Sequence, residues 1–257
     1  ELSNVNPVAV LGLATEAWSL SKEIHYSKGK AMSCFYIGQV LVYLGNYEKS
    51  LEYLTLSEQE KYTAGDAIIR SEISRIKGQV YFYLGLKKMS FSEFQKEYDY
   101  AAQIRDNEDR DRYMSLAYEN MGIAYNVLKG DLDSSLYYLT RNKELLEKTD
   151  ETRIFKNKIN LYTLLGNHYR DQQQYDSAVS YFNKALSLIT EYNYPYSSWL
   201  YVHWGSLHML KGDTDSALLY FRKGLENIEK TNLKNELPEL YQKMSGIYSK
   251  AGVEDSA

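Results

Sequence analysis

The sequence predicts an all-α protein built from antiparallel pairs of helices, and three observations support this. A small residue recurs about every 40 positions, at Gly38, Gly78, Gly122, Gly166, Gly205 and Ser245. About 12 positions after most of them comes a second small residue, and in most repeats a short turn containing glycine lies between the two. Only 3 prolines occur in 257 residues, so long helices can form between these turns.

The recurring positions predict a single array over residues 1–257. We expect a half repeat at 7–27, helix pairs at 28–65, 66–105, 108–149, 151–191 and 195–232, and a truncated pair at 234–257. Pro7, preceded by Asn6, indicates the first turn of the first helix. A repeat array needs a polar cap at its end, whereas this chain stops at Ala257 just inside a predicted second helix. We therefore expect more protein to follow Ala257.

The stretch 159–190 shows the pattern most fully. Large residues stand at Tyr162, Leu165, Tyr169 and Phe182, and small ones at Gly166, Ala178 and Ala185. Small residues let two helices approach closely, and large ones fill the grooves between them. This order resembles the tetratricopeptide repeat (TPR), which places W-x2-L-G-x2-Y in its first helix and A-x3-F-x2-A in its second. The resemblance implies a right-handed superhelical solenoid of TPR-like helix pairs with repeats of about 40 residues.

Composition excludes several classes of function. The formal net charge is −4 with no run of Lys or Arg, so we expect no direct binding of nucleic acid by this segment. No apolar run reaches the roughly 18–20 residues of a membrane helix, so no membrane span is expected. Cys34 is the one cysteine, which excludes a disulfide within the chain and is predicted to be buried.

The sequence shows no pattern of a metal, cofactor or catalytic site. The four histidines, His25, His168, His203 and His208, lack the spacing of a zinc site, and His208 takes a packing position of its repeat. The acidic run 106–111 lacks the glycine and glutamate of a calcium loop, and we expect a solvated link between helix pairs. We therefore predict a protein that is not an enzyme and needs no cofactor.

The resemblance implies that set positions of each first helix line a concave face that binds a protein or peptide. These positions are Tyr36, Gln39, Tyr43, Arg75, Gln79, Tyr83, Glu119, Asn120, Asn126, Asn160, Asn167, Arg170, Trp199 and His203. Amides can pair with a peptide backbone, and aromatic rings can hold its side chains. We expect the binding site to be centred on Asn126, Asn160, Asn167 and Arg170.

Residues 43–53 look like TPR segments of Bacteroidetes-type bacterial proteins, in which the array is the N-terminal sensor of a longer regulator. This resemblance implies a non-catalytic peptide-binding scaffold, periplasmic, serving a signalling or transcriptional regulator. A homodimer that forms through the ends of the array is a further expectation. The alternatives are a cytoplasmic peptide-sensing array and an accessory interaction domain of an enzyme encoded after Ala257.

Overall fold

The structure is a computed structural model that describes residues 6–195, 197–231 and 237–250. Over these ranges the chain is helical and contains no strand. The helices are α1 (Pro7–Glu23), α2 (Ser27–Tyr43), α3 (Tyr47–Glu58), α4 (Lys61–Ala64), α5 (Ala67–Tyr83), α6 (Lys87–Ala101), α7 (Asn107–Ala124), α8 (Leu132–Leu146), α9 (Glu151–Asp171), α10 (Tyr175–Glu191), α11 (Ser198–Leu210), α12 (Thr214–Thr231) and α13 (Leu237–Lys250). The predicted all-α fold is confirmed.

Successive helices pack as pairs, each with a first and a second helix joined by a tight turn. The pairs are α2 with α3, α5 with α6, α7 with α8, α9 with α10, and α11 with α12. Each of α3, α6, α10 and α12 also contacts the first helix of the next pair. Helix α1 packs on α2, and its N-terminus is capped by Asn6, whose side chain accepts a hydrogen bond from the Val8 amide.

The turns within the pairs use glycine where the backbone becomes left-handed. Gly45, Gly85, Gly130 and Gly212 have φ between +64° and +77°. In three of these turns the next residue, Asn46, Asp131 or Asp213, caps the second helix by accepting a backbone N–H. The α9–α10 turn has no glycine, and Gln173 adopts φ +62° in the corresponding place.

The small residues of the first helices meet large side chains of the second helices. A Cβ added at Gly78 or Gly205 would lie 2.5 Å from the ring of Phe94 or Phe221, respectively. Gly38 faces Leu54, Gly122 faces Leu139, and Gly166 faces Phe182 in the same way. The helices of each pair can pack this closely only because these positions lack a side chain.

Side-chain hydrogen bonds also join the two helices of these pairs. The Ser50 hydroxyl donates to the backbone carbonyl of Gly38 at 2.8 Å, and the Ser90 hydroxyl donates to that of Gly78 at 3.0 Å. Both hydroxyls are buried, and each gains a partner without a break in the helix it bonds to. The second small residue of these repeats therefore contributes a hydrogen bond as well as space.

The chain divides into two compact units, Glu1–Asn157 and Lys158–Ala257, and the division falls within α9. We call them unit 1 and unit 2. The prediction of one array with the repeat bounds given above stays a prediction, as does a homodimer through the array ends. The predicted truncation of the last pair at Ala257 lies outside the described residues.

The acidic run 106–111 is not the link that the sequence suggested. Asp106 caps α7 through its side chain, which accepts the Asp109 amide at 2.9 Å, and residues 107–111 form the first turns of that helix. Carboxylates are favourable there because they face the positive end of the helix dipole. The prediction of a buried Cys34 is confirmed, since its side chain is 1% exposed and burial raises the pKa of its thiol to about 11.

Candidate functional site

The predicted binding positions are divided between the two units. Unit 1 carries nine of them: Tyr36, Gln39 and Tyr43 on α2, Arg75, Gln79 and Tyr83 on α5, Glu119 and Asn120 on α7, and Asn126 in a π-helical turn that follows α7. Unit 2 carries Asn160, Asn167 and Arg170 on α9 and Trp199 and His203 on α11. The predicted centre at Asn126, Asn160, Asn167 and Arg170 draws on both units and stays a prediction.

In unit 1, charged and amide groups from α5, α6 and α7 meet. Arg75 of α5 donates to Oε2 of Glu72 through Nε at 3.2 Å and through Nη2 at 2.5 Å. Asn120 of α7 donates to both carboxyl oxygens of Glu97 of α6, at 3.1 and 2.9 Å. The Ser71 hydroxyl donates to the Glu97 backbone carbonyl at 3.0 Å, which holds α6 against α5. Three helices therefore fix the position of Glu97.

Burial controls the charge of this carboxyl group. Glu97 is 1% exposed, and this burial raises its pKa to about 8, with further upward contributions from Glu72 and Glu119. The Arg75 charge and the Asn120 hydrogen bond act in the opposite direction but do not overcome the burial. Near neutral pH, Glu97 is therefore largely protonated in the folded protein.

The cluster has more acid groups than basic ones. We call Glu72, Arg75, Glu97, Glu119 and Asn120 the acidic cluster; Glu72 and Glu97 both act on the Arg75 guanidinium, and Glu119 acts on Glu97. Burial opposes the charge on Arg75, but Glu72 and Glu97 outweigh it and raise the arginine pKa. When Glu97 is ionised, Glu72 and Glu97 together carry two negative charges against the one positive charge of Arg75, and a second cation would favour that ionised form.

Tyrosine and amide side chains also stand on α5, which carries Glu72 and Arg75, and on α2, whose Tyr43 acts on Arg75. Tyr36, Tyr43 and Tyr83 are 41%, 56% and 59% exposed, which leaves much of each ring accessible to a partner. The Tyr83 ring stacks on Tyr47 of α3 with centroids 5.9 Å apart. Gln39, Gln79 and Asn126 are half-buried, with Gln39 beside the tyrosines of α2 and Gln79 between Arg75 and Tyr83 on α5. The face thus combines flat rings with amide donors and acceptors.

Two of the predicted positions have surroundings that the sequence did not indicate, and two residues outside the predicted set belong to the cluster. Glu119 is 6% exposed and lies within the cluster rather than on the open face. Asn126 lies in the π-helical turn Tyr125–Lys129, where its backbone carbonyl accepts the Gly130 amide at 2.9 Å. Glu72 and Glu97 were not predicted. Glu72 stands three residues before Arg75 on one helix face, a signal that was available; Glu97 is on a second helix, and the prediction considered first helices.

In unit 2, Arg170 already has partners for its guanidinium. Its Nη1 donates to Oδ1 of Asn167 at 3.1 Å and lies 3.4 Å from Nδ1 of His203, and its Nε and Nη2 donate to Asp171 at 2.9 and 2.7 Å. Burial, followed by the Arg170 charge, lowers the pKa of His203 to about 3, so its ring is neutral and can accept this hydrogen bond. The edge of Trp199 packs on His203 at 5.8 Å. Each of the three guanidinium nitrogens of Arg170 therefore already donates to Asp171 or Asn167.

Two other findings concern the part of the chain that the structure describes. No three His, Cys, Asp or Glu side chains lie together there in a way that could hold a metal ion. Likewise, none of the described helices is both long enough and apolar enough to cross a membrane. His208, which the sequence placed in a packing position, stacks on Tyr220 with centroids 5.3 Å apart.

Comparison with known proteins agrees with this fold. No curated protein sequence matches the chain. Among solved structures it is similar to a Rap protein complexed with Competence and Sporulation Factor, with a TM-score of 0.70 and 16% identity over 96% of this chain and 66% of that chain. It is also similar to BtubC (BKLC) from P. vanneervenii, with a TM-score of 0.64 and 13% identity over 89% and 93% of the two chains.

A thermophilic TPR protein of Thermus thermophilus is similar as well, with a TM-score of 0.56 and 18% identity over 82% of this chain and 99% of that chain. At these identities the likeness shows the fold alone. In sequence, residues 158–230 match the tetratricopeptide repeat family. The chain therefore carries tetratricopeptide repeats at residues 158–230 and has the fold of tetratricopeptide-repeat proteins.

Proposed function

We propose that this chain is a non-catalytic scaffold whose first-helix face in unit 1 binds a peptide through a basic side chain. The observation that carries the proposal is the excess of carboxyl groups in the acidic cluster, together with the accessible tyrosines on α2 and α5. One of the similar structures is a Rap protein complexed with Competence and Sporulation Factor, which supports binding of a factor by this fold.

The acidic cluster would recognise the charge of the peptide. A lysine or arginine side chain that approaches Glu97 and Glu72 meets two carboxyl groups and one competing cation, Arg75. Its charge would favour the ionised form of Glu97, so binding would release the proton that burial keeps on this carboxyl group. A hydrogen bond between ionised groups is shorter and stronger than one between neutral groups.

The tyrosine and amide side chains of α2 and α5 would contact the rest of the peptide. Tyr36, Tyr43 and Tyr83 offer exposed ring faces to the aliphatic stem or the charge of the basic side chain. The half-buried amides of Gln39 and Gln79 can bond the peptide's own N–H and C=O groups, which lose water on binding.

We further propose that the scaffold serves as the ligand-sensing part of a larger bacterial signalling or transcriptional regulator. This chain covers only 66% of the similar Rap protein, so a scaffold of this kind can form part of a longer protein. The alternatives given by the sequence are a cytoplasmic peptide sensor and an accessory domain of an enzyme. The architecture of the full-length gene distinguishes among the three.

The test uses a set of random peptides presented to the whole chain, followed by titration calorimetry of the best binder at about pH 8.5, above the Glu97 pKa of about 8. Replacing the peptide's basic residue with norleucine should weaken binding by about tenfold or more, since a bond to a charged group contributes roughly 1.5–3 kcal/mol. Glu97→Gln should cause a similar loss.

Asp99→Asn is the matched control, because Asp99 is an exposed acid on the same helix and lies outside the acidic cluster. Circular dichroism checks that both variants stay folded. The proposal fails if norleucine binds as well as the basic residue, or if Asp99→Asn weakens binding as much as Glu97→Gln does. Loss of binding in Asn167→Ala/Arg170→Ala alone would instead place the site in unit 2.

A further inference from the structure

A cavity of about 240 Å³ lies between α6, α7 and α8 of unit 1, and its lining includes no residue of the acidic cluster. Its lining consists of Gln95, Tyr98, Ala117, Tyr118, Met121, Tyr137, Tyr138 and Arg141. Ala117 and Met121 are 0% and 5% exposed and provide its apolar part. Tyr137 is 59% exposed, so the cavity is accessible from solvent on that side.

Four tyrosine rings form most of the wall. Tyr98 and Tyr118 have centroids 5.1 Å apart, Tyr118 and Tyr138 are 6.3 Å apart, and Tyr137 stands nearly perpendicular to Tyr138 at 5.2 Å. Flat rings at these angles leave faces and edges for a further aromatic ring, which prefers offset-stacked or edge-to-face contact. The wall is thus suited to a planar apolar group.

Polar groups in the lining favour a negative charge on that ligand. The hydroxyl groups of Tyr98 and Tyr118 are hydrogen-bonded at 3.2 Å; one donates to the other, and the second keeps its own O–H to donate. Burial, with the bond to Tyr98, raises the pKa of Tyr118 to about 12, so this phenol keeps its proton. Arg141 is the charged member of the described lining.

The guanidinium of Arg141 is able to reach a ligand. Its side chain is 50% exposed, and its Nη1 donates to Glu144 at 2.9 Å on the surface of α8. A guanidinium has five N–H donors in a planar fork, so one bond to a carboxylate leaves donors for a second. Gln95, which also lines the cavity, donates its amide N–H to Asp99 at 3.0 Å.

We propose that this cavity binds an aromatic ring that carries a carboxylate. An engineered cavity of about 150 Å³ accepts benzene, whereas drug-sized ligands need about 300 Å³ or more, so this volume suits a single substituted ring. The ring would lie against Met121 and the tyrosines, and its carboxylate would accept hydrogen bonds from Arg141 and one tyrosine hydroxyl. The same chemistry is found in a free aromatic amino-acid derivative and in a peptide that ends in phenylalanine.

The experiment titrates the whole chain with N-acetylphenylalanine and, separately, with its uncharged amide. Binding is followed by calorimetry and by the NMR shift of the Met121 methyl group, which the field of a bound ring moves. We expect the acid to shift this signal. The amide should bind at least about tenfold more weakly than the acid, because it loses a hydrogen bond to a charged group. A peptide ending in free phenylalanine and its C-terminal amide form a second arm.

Arg141→Gln should remove the preference for the acid over the amide. Lys143→Gln is the matched control: it removes one positive charge from the same helix at a residue outside the cavity lining, and it should keep the preference. Tighter binding of the peptide than of N-acetylphenylalanine would identify a chain terminus as the source of the carboxylate. The proposal is overturned if neither acid shifts the Met121 signal, or if acid and amide bind equally.

Discussion

The ring of Phe182 occupies the space that a side chain at Gly166 would need. A Cβ added at Gly166 would lie closer than 3.0 Å to two atoms of that ring, a separation at which something must shift. Phe182 is itself 0% exposed and also packs on Trp204 of α11 with centroids 5.7 Å apart. The glycine therefore sets the distance between α9 and α10, and through Phe182 it affects the next pair.

Gly166→Leu should destabilise unit 2. Overpacking of a close contact costs on the order of 1–3 kcal/mol, and here the obstacle is a buried ring with neighbours on its other side. Gly12→Leu in α1 is the control, since a Cβ there meets nothing within 4 Å and leucine favours helix more than glycine. Urea denaturation compares the two variants. Equal stability of Gly166→Leu and the parent would contradict the close packing of this pair.

Glu97→Gln should change how stability depends on pH. The folded protein keeps a proton on Glu97 up to about pH 8, whereas the unfolded chain loses it near the ordinary value of 4.5. Unfolding between these values releases a proton, so this group's contribution to stability falls as pH rises through that window. The variant should therefore gain stability relative to the parent from about pH 5 to pH 8.

Denaturant titrations at several pH values measure this difference, with Asp99→Asn as the control on the same helix. A difference between Glu97→Gln and the parent that stays constant with pH would show that the carboxyl group is ionised in the folded protein.

His203→Asn should reduce the sensitivity of unit 2 to acid. The folded protein holds this imidazole neutral down to about pH 3, while the unfolded chain protonates it near 6.5. Unfolding between these values takes up a proton, so stability is present above 6.5 and is lost as pH falls toward 3. Asparagine can still accept the Arg170 hydrogen bond but cannot titrate. Thermal unfolding at several pH values between about 4 and 7 should show that the stability of the variant depends less on pH than that of the parent. An equal dependence in the two proteins would contradict a neutral, buried His203.

The α9–α10 turn should be stabilised by Gln173→Gly. Gln173 adopts φ +62°, a conformation that disfavours residues with a Cβ, while its counterpart in the α11–α12 turn is Gly212 with φ +77°. Relief of this strain is partly offset by the freedom of glycine in the unfolded chain, so a gain of up to about 1 kcal/mol is expected. Gly212→Gln should lower the stability by a similar amount. A Cβ at this position meets no atom within 4 Å, so only the left-handed backbone conformation opposes the substitution. The same sign for both substitutions would exclude this cause.

Much of the fold could be predicted from the sequence because a small residue recurs in each first helix, at the point where the second helix packs against it. Gly38, Gly78, Gly122, Gly166 and Gly205 were placed in first helices, and each indeed faces a large residue of the second helix. The pattern works because close helix packing tolerates few side chains at the point of contact.

The contacts within the acidic cluster could not be predicted from the sequence in the same way. Glu97 lies on a second helix and is joined to Asn120, 23 residues away, and no local spacing indicates which buried acid will meet which amide. The first-turn position of residues 107–111 was missed for a different reason. A cluster of charges is typical both of a solvated link and of a helix start, and the side-chain cap of Asp106 decides between them.

The contacts between the first-helix glycines and their partners also bear on how the chain folds. Leu54, Phe94, Leu139, Phe182 and Phe221 each stand 16 or 17 positions after the glycine that they face. Closing so short a loop loses little chain entropy, and contacts close in sequence favour rapid folding. Each helical hairpin can therefore assemble before its neighbours, and substitutions at these glycines should slow the assembly of one hairpin rather than that of the whole chain.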